Sequence, residues 1–138
     1  MRNKLIDKKI KLVSAAAGFP SPAENYIEEQ LDLNRYLIKN KTSSFFVRVS
    51  GDSMINVGIF NNDILIVDRS LTPVRESIIL ASIDGELVIK KLIKDRLKNY
   101  YLKSENNNYP NIKLNSNMDT IIWGVVTYVI HSLTWFYD

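Results

Sequence analysis

Ser53, in the tetrapeptide Gly51-Asp52-Ser53-Met54, and Lys90, in the apolar run Val88 to Ile93, are the two residues of this chain best suited to breaking a peptide bond. A serine hydroxyl is a poor nucleophile until a base takes its proton. A lysine can be that base only where its surroundings keep the amine neutral, and Val88, Ile89, Leu92 and Ile93 are surroundings of that kind. Upstream, Ala15-Ala16-Ala17-Gly18 has the look of a peptide such a pair could cut. The three features together fit a chain that hydrolyses its own backbone.

Each feature also has a plainer reading. A Gly-Asp-Ser triplet taken alone is more often a polar turn. What raises its interest is its place directly after a strand-like run, where backbone N–H groups are free to stabilise an oxyanion around Asp52, Ser53 and Met54. The lysine is ambiguous. Lys90 alternates with Val88 and Leu92, while Lys91 alternates with Leu87, Ile89 and Ile93, so both faces of the strand are apolar. Periodicity does not say which amine is buried and which snorkels at an edge.

The elements that must position these residues follow from the pattern. Residues 1–20 read as an irregular arm ending in Gly18-Phe19-Pro20. Ser21-Pro22-Ala23-Glu24 has the form of a capped helix start, and Ala23, Tyr26, Ile27 and Leu31 would share one helical face. A second short helical turn is expected over Leu33 to Ile38. Beyond it the period changes to two. Ser44–Ser50, Asp63–Asp68, Ile78–Ile83, Glu86–Ile93, Lys98–Ser104 and Thr120–Ile130 are strand-like, and Asp84-Gly85 is a strong hairpin signal. The expected fold is mainly β, with a short N-terminal helix and an N-terminal arm.

Composition bounds the chemistry. The chain has 138 residues, enough for one domain and a short tail, and 46% hydrophobic residues, enough for a core. It has no cysteine and one histidine, His131, so disulfides, thiolate metal sites and histidine triads are not expected, and no cofactor or metal is implied. The net charge of +3 comes largely from Arg2, Lys4, Lys8, Lys9 and Lys11, a basic tail rather than a folded DNA-binding face. The start lacks the continuous apolar stretch of a signal peptide. Ile121 to Tyr137 is uncharged but rich in β-branched residues, which suits a buried strand better than a membrane helix. A soluble, cytoplasmic chain without a membrane partner is expected.

Gly51-Asp52-Ser53-Met54-Ile55, Gly58-Ile59, Asp63 to Asp68, Asp84-Gly85-Glu86 and Val88-Ile89-Lys90-Lys91-Leu92 resemble the LexA/UmuD family of self-cleaving serine peptidases, relatives of signal peptidase. Gly18 to Ala23, Asp32-Leu33-Asn34 and Trp123-Gly124-Val125-Val126 extend the resemblance, which runs from Ala17 to about Ile130. It implies a LexA/signal-peptidase-like β domain over residues 18–138 behind a cleavable arm, residues 1–17. It makes Ser53 the nucleophile and Lys90 rather than Lys91 the general base, and it places the scissile bond at Ala17-Gly18. Small residues there let an extended backbone approach the serine closely. The resemblance further implies a homodimer, cleavage promoted by a RecA–single-stranded-DNA filament, and a role in SOS mutagenesis beside a UmuC-like Y-family polymerase subunit in translesion synthesis. No sequence-specific DNA binding is implied.

Departures from the family pattern are Asn62 in place of a glycine, Glu76-Ser77 in place of Gly-Asp, a short arm, and Trp135-Phe136-Tyr137 beyond the pattern. None touches Ser53 or Lys90. Three rivals remain in view. A LexA-type or phage repressor would need a helix-turn-helix, for which residues 1–17 are too few. A signal peptidase would need a hydrophobic anchor. A non-catalytic β interaction module would carry Ser53 and Lys90 as relics.

Overall fold

The computed structural model describes residues 11–13, 15 and 27–134. The chain divides into two compact units, Met1–Lys39 and Asn40–Asp138, each taken by itself. In the first, β1 (Lys11–Val13) pairs antiparallel with β2 (Ile27–Gln30), Leu12 opposite Glu29, and α1 (Leu33–Leu37) follows. The Asp32 side chain caps α1 by accepting from the Arg35 N–H at 3.4 Å.

Two expectations are corrected here. The helix expected from Ser21 through Leu31 is a strand over Ile27–Gln30, and the arm expected to be irregular contributes β1. The apolar spacing favours a helix, but the backbone of 27–30 bonds to a segment 14 to 19 positions earlier, a non-local pairing that local periodicity cannot register. The short helix of this end is α1. Residues 21–26 and the predicted cleavage pair Ala17-Gly18 lie outside the described residues, as do Trp135-Phe136-Tyr137.

The second unit is a seven-stranded antiparallel sheet built from β3 (Ser44–Arg48), β4 (Ile64–Asp68), β5 (Ile78–Ile83), β6 (Glu86–Lys94), β7 (Tyr100–Lys103), β8 (Ile112–Lys113) and β9 (Thr120–Ile130). Their order across the sheet is β3-β4-β9-β5-β6-β7-β8. The β5–β6 hairpin turns at Asp84-Gly85, both with positive φ (50° and 87°), the conformation that makes this dipeptide a hairpin former. β9 lies between β4 and β5 and pairs on both edges, but the burial expected of its uncharged sequence is not found. Ile121, Ile122, Trp123, Val129 and Ile130 are exposed, because edge pairing satisfies the backbone without covering the faces of the strand. Both of its ladders carry a bulge, at Ile66/Val67 and at Leu80/Ala81.

Alternation along the strands feeds two apolar clusters. Val49, Met54, Ile59, Leu65, Val67 and Leu80 form one; Ile79, Ala81, Leu92 and Leu102 form the other. Consecutive residues Ile79, Leu80 and Ala81 of β5 divide between them, as a period of two requires. Met54, next to Ser53, is only 2% exposed. The serine turn is thereby anchored in the core by the residue that follows it.

Candidate active site

Ser53 lies in the connection between β3 and a single 3-10 turn, Ile55–Val57, which ends at Gly58 with φ +82°. The chain reverses there because Val49 N–H donates to the Asp63 carbonyl (2.8 Å) and Asn62 N–H donates back to the Val49 carbonyl (2.9 Å). Gly51, with φ +95°, takes a backbone conformation that L side chains avoid, and its N–H donates to Asn61 Oδ1 at 2.9 Å. Asn62, standing where the family has glycine, has φ +74° and keeps the left-handed backbone that asparagine tolerates.

From the other side the turn is held by the segment after β7. Asn106 Nδ2 donates to the Asp52 carbonyl (2.9 Å), the Tyr109 hydroxyl to Asp52 Oδ1 (2.6 Å), and Asn56 N–H to the Glu105 carbonyl (2.8 Å). Among the described residues, the N–H groups of Ser53 and Met54 donate to nothing. Two adjacent unused donors beside a serine are the raw material of an oxyanion site.

Lys90 sits on β6 opposite the fully buried Ile79 of β5, and it is buried itself. Burial pushes its ammonium below the ordinary lysine pKa, because a cation loses more than a neutral amine on leaving water. Its Nζ donates to Ser104 Oγ at 2.5 Å and lies 5.4 Å from the centre of the Tyr109 ring. Lys91, which points the other way, forms an ion pair with Glu105 Oε1 at 3.0 Å. The structure thus separates the two lysines that periodicity left equivalent: Lys90 is desolvated and Lys91 is ion-paired.

Ser53 and Lys90 line one cleft of about 360 Å³, together with Val47, Met54, Leu87 and Tyr109. No hydrogen bond joins Ser53 Oγ to Lys90 Nζ; the amine is engaged by Ser104. A cleft of this size with an apolar lining, a serine hydroxyl, a desolvated amine and free backbone donors can bind an extended peptide and attack its carbonyl. Among the described residues there is no group of three or more acidic, histidine or cysteine residues that could hold a metal, and no helix long and apolar enough to cross a membrane.

Sequence reasoning missed Ser104, Asn106 and Tyr109. The signal for Ser104 was available only through register. Lys91 pairs with Lys103, the last residue of β7, and Ser104 directly follows it.

A family model described as Peptidase S24-like matches residues 9–127. Protein ImpA of Escherichia coli is 42% identical over 115 residues, covering 83% of this chain and 77% of that protein. Protein SamA of Salmonella typhimurium is 42% identical over 116 residues, 83% of this chain and 79% of that protein. Protein MucA of Escherichia coli is 39% identical over 119 residues, 86% and 78% respectively.

Proposed function

The chain belongs to the Peptidase S24-like family, and from that premise we propose that it cuts its own backbone between Ala17 and Gly18, with Ser53 as nucleophile and Lys90 as general base. The observation that carries this reading is the presence of Ser53 and a buried Lys90 of lowered basicity in the walls of one cleft. Neutral Lys90 takes the Ser53 hydroxyl proton as Oγ adds to the Ala17 carbonyl carbon. The N–H groups of Ser53 and Met54 hold the resulting oxyanion. The lysine ammonium then returns the proton to the Gly18 nitrogen as the C–N bond breaks. Water then adds to the Ala17 ester carbonyl, losing a proton to the same amine, and the ammonium returns that proton to Ser53 Oγ as the ester C–O bond breaks. Residues 1–17 leave and 18–138 remain.

The proposal extends to regulation and partners, supported by the similarity to ImpA, SamA and MucA. A RecA–single-stranded-DNA filament stimulates the cut in the SOS response. The trimmed chain, as a dimer, serves as accessory subunit of a UmuC-like Y-family polymerase copying damaged DNA.

The test is incubation of the full chain between pH 7 and 10, with and without RecA filament, followed by mass spectrometry. Loss of residues 1–17 is expected, with a rate that rises about tenfold per pH unit until Lys90 is neutral and then levels off. Ser53→Ala and Lys90→Ala remain intact, whereas Lys91→Ala is cut normally. Cleavage of that bond in Ser53→Ala would exclude the serine mechanism. An intact mass under every condition would favour a non-catalytic interaction module.

A further inference from the structure

We propose that Ser104 is the positioning residue for the Lys90 amine, the hydroxyl that holds Nζ so that its lone pair is available to Ser53. The inference rests on the dyad reading above. Its ground is the hydrogen bond from Lys90 Nζ to Ser104 Oγ, 2.5 Å long, between side chains that are 8% and 4% exposed.

A lysine has four rotatable side-chain bonds, and its amine wanders unless something fixes it. In this cleft the apolar walls repel the charge but do not orient the nitrogen. Ser104 is the one hydrogen-bond partner of Nζ among the described residues. It directly follows Lys103, the last residue of β7, which pairs with Lys91, and begins the segment that also grips the serine turn through Asn106 and Tyr109. One stretch of chain, Ser104 to Tyr109, therefore holds both members of the dyad.

The chemistry suits a neutral base. A free amine has two N–H bonds and one lone pair. Donating one N–H to Ser104 fixes the direction of the lone pair, to which the Ser53 proton transfers. Once protonated, the ammonium keeps the same bond, now charge-assisted. The hydroxyl thus raises the proton affinity of an amine that burial lowers.

Other ionisable groups near the amine are accounted for. Asp52, on the serine turn, accepts the Tyr109 hydroxyl. Arg48, from β3, donates to the Asn62 carbonyl. Glu105 pairs with Lys91 and, at 3.7 Å, with Lys103. On β5 the cross-strand neighbour is Ile79, which is apolar.

Two measurements test the inference. In a full chain carrying Ser53→Ala, the Lys90 titration midpoint is followed by NMR of 13Cε-labelled lysine. Ser104→Ala is expected to lower the midpoint and Ser104→Thr to restore it. In the cleavage-competent chain, Ser104→Ala is expected to lower the high-pH plateau rate about tenfold, the loss of one hydrogen bond's worth of positioning, and Ser104→Thr to recover most of it. A serine with a merely structural role would change the melting temperature and leave midpoint and plateau alone, and that result overturns the inference. Cleavage persisting in Lys90→Ala would instead sink the dyad reading and with it any catalytic role for Ser104. The NMR midpoints would still report whether Ser104 grips the amine.

Discussion

Lys91 Nζ lies 3.0 Å from Glu105 Oε1, while its neighbour Lys90 faces a buried serine hydroxyl and no carboxylate. Two adjacent lysines of one strand are therefore held in opposite states. Lys91 and Lys103 hold the Glu105 carboxyl below the usual glutamate range, and burial pushes the Lys90 ammonium down. The strand pleat alone accomplishes the separation, since consecutive side chains leave on opposite faces.

A buried amine of lowered pKa costs stability wherever it is charged in the folded state. The unfolded chain then binds its proton more readily than the folded one, so stability rises with pH up to the unfolded value of 10.5. Lys90→Met removes that dependence. Its denaturation free energy relative to the parent is expected to become more favourable as pH falls from about 10.5 through the lowered Lys90 value, while self-cleavage is lost. Urea melts at pH 7 and pH 10 measure it; an equal difference at both would contradict the assignment of Lys90 as the desolvated lysine.

Asp68 ends β4 and is buried, and its carboxylate accepts from Ser70 Oγ (2.7 Å), Ser70 N–H (2.8 Å), Ser43 Oγ (2.9 Å) and Asn40 Nδ2 (3.1 Å). The Ser70 hydroxyl is the largest cause of a pKa lowered from 3.8 to about 2. A depressed carboxylate stabilises the fold above its unfolded pKa and loses that contribution as pH falls through the folded value. Acid titration of stability should therefore show a loss between about pH 4 and pH 2 that Asp68→Asn lacks. The variant should also be weaker at pH 7, by about 1–3 kcal/mol, because charge-assisted bonds are replaced by poorer ones. Chemical denaturation across that range reads both.

Gly124 on β9 faces the bulged part of β4. A Cβ there would lie 2.7 Å from Val67 Cγ1 and 2.9 Å from the Asp68 carbonyl oxygen, and the carbonyl is fixed in the ladder. Gly124→Ala is expected to cost about 1–3 kcal/mol through overpacking. The denaturant midpoint should fall accordingly.

Glu76 is a non-glycine residue with φ +69°, at the turn where the family pattern has glycine. Its N–H still donates to the Leu92 carbonyl at 2.9 Å, so a glycine would keep the bond and relieve the strain. Relief is partly offset by the greater freedom of glycine in the unfolded chain. Glu76→Gly is therefore expected to stabilise modestly, by about 0.5–1 kcal/mol, in thermal melts. Destabilisation would mean that the glutamate side chain contributes more than its backbone costs.

The six main strands and the Asp84-Gly85 hairpin were legible from the residues because alternation and turn chemistry are local, and β5 and β9 fall on the residues expected. Serine in a glycine-bearing turn and lysine in an apolar strand were legible as reactive types. What failed was non-local: the pairing that makes Ile27–Gln30 a strand, and the two-residue β8, too short to carry a period.

By itself, the sequence determined which side chains have the chemistry and which stretches must be strands. The resemblance already pointed to Lys90 over Lys91, but only the tertiary structure showed Lys90 to be buried and Lys91 ion-paired, and showed that Ser104, Asn106 and Tyr109 hold the elements carrying Ser53 and Lys90. The physical reason is that desolvation and hydrogen-bond partners belong to neighbours in space. Here those neighbours arrive from 14 to 57 positions away along the chain, through sheet register that no local pattern encodes.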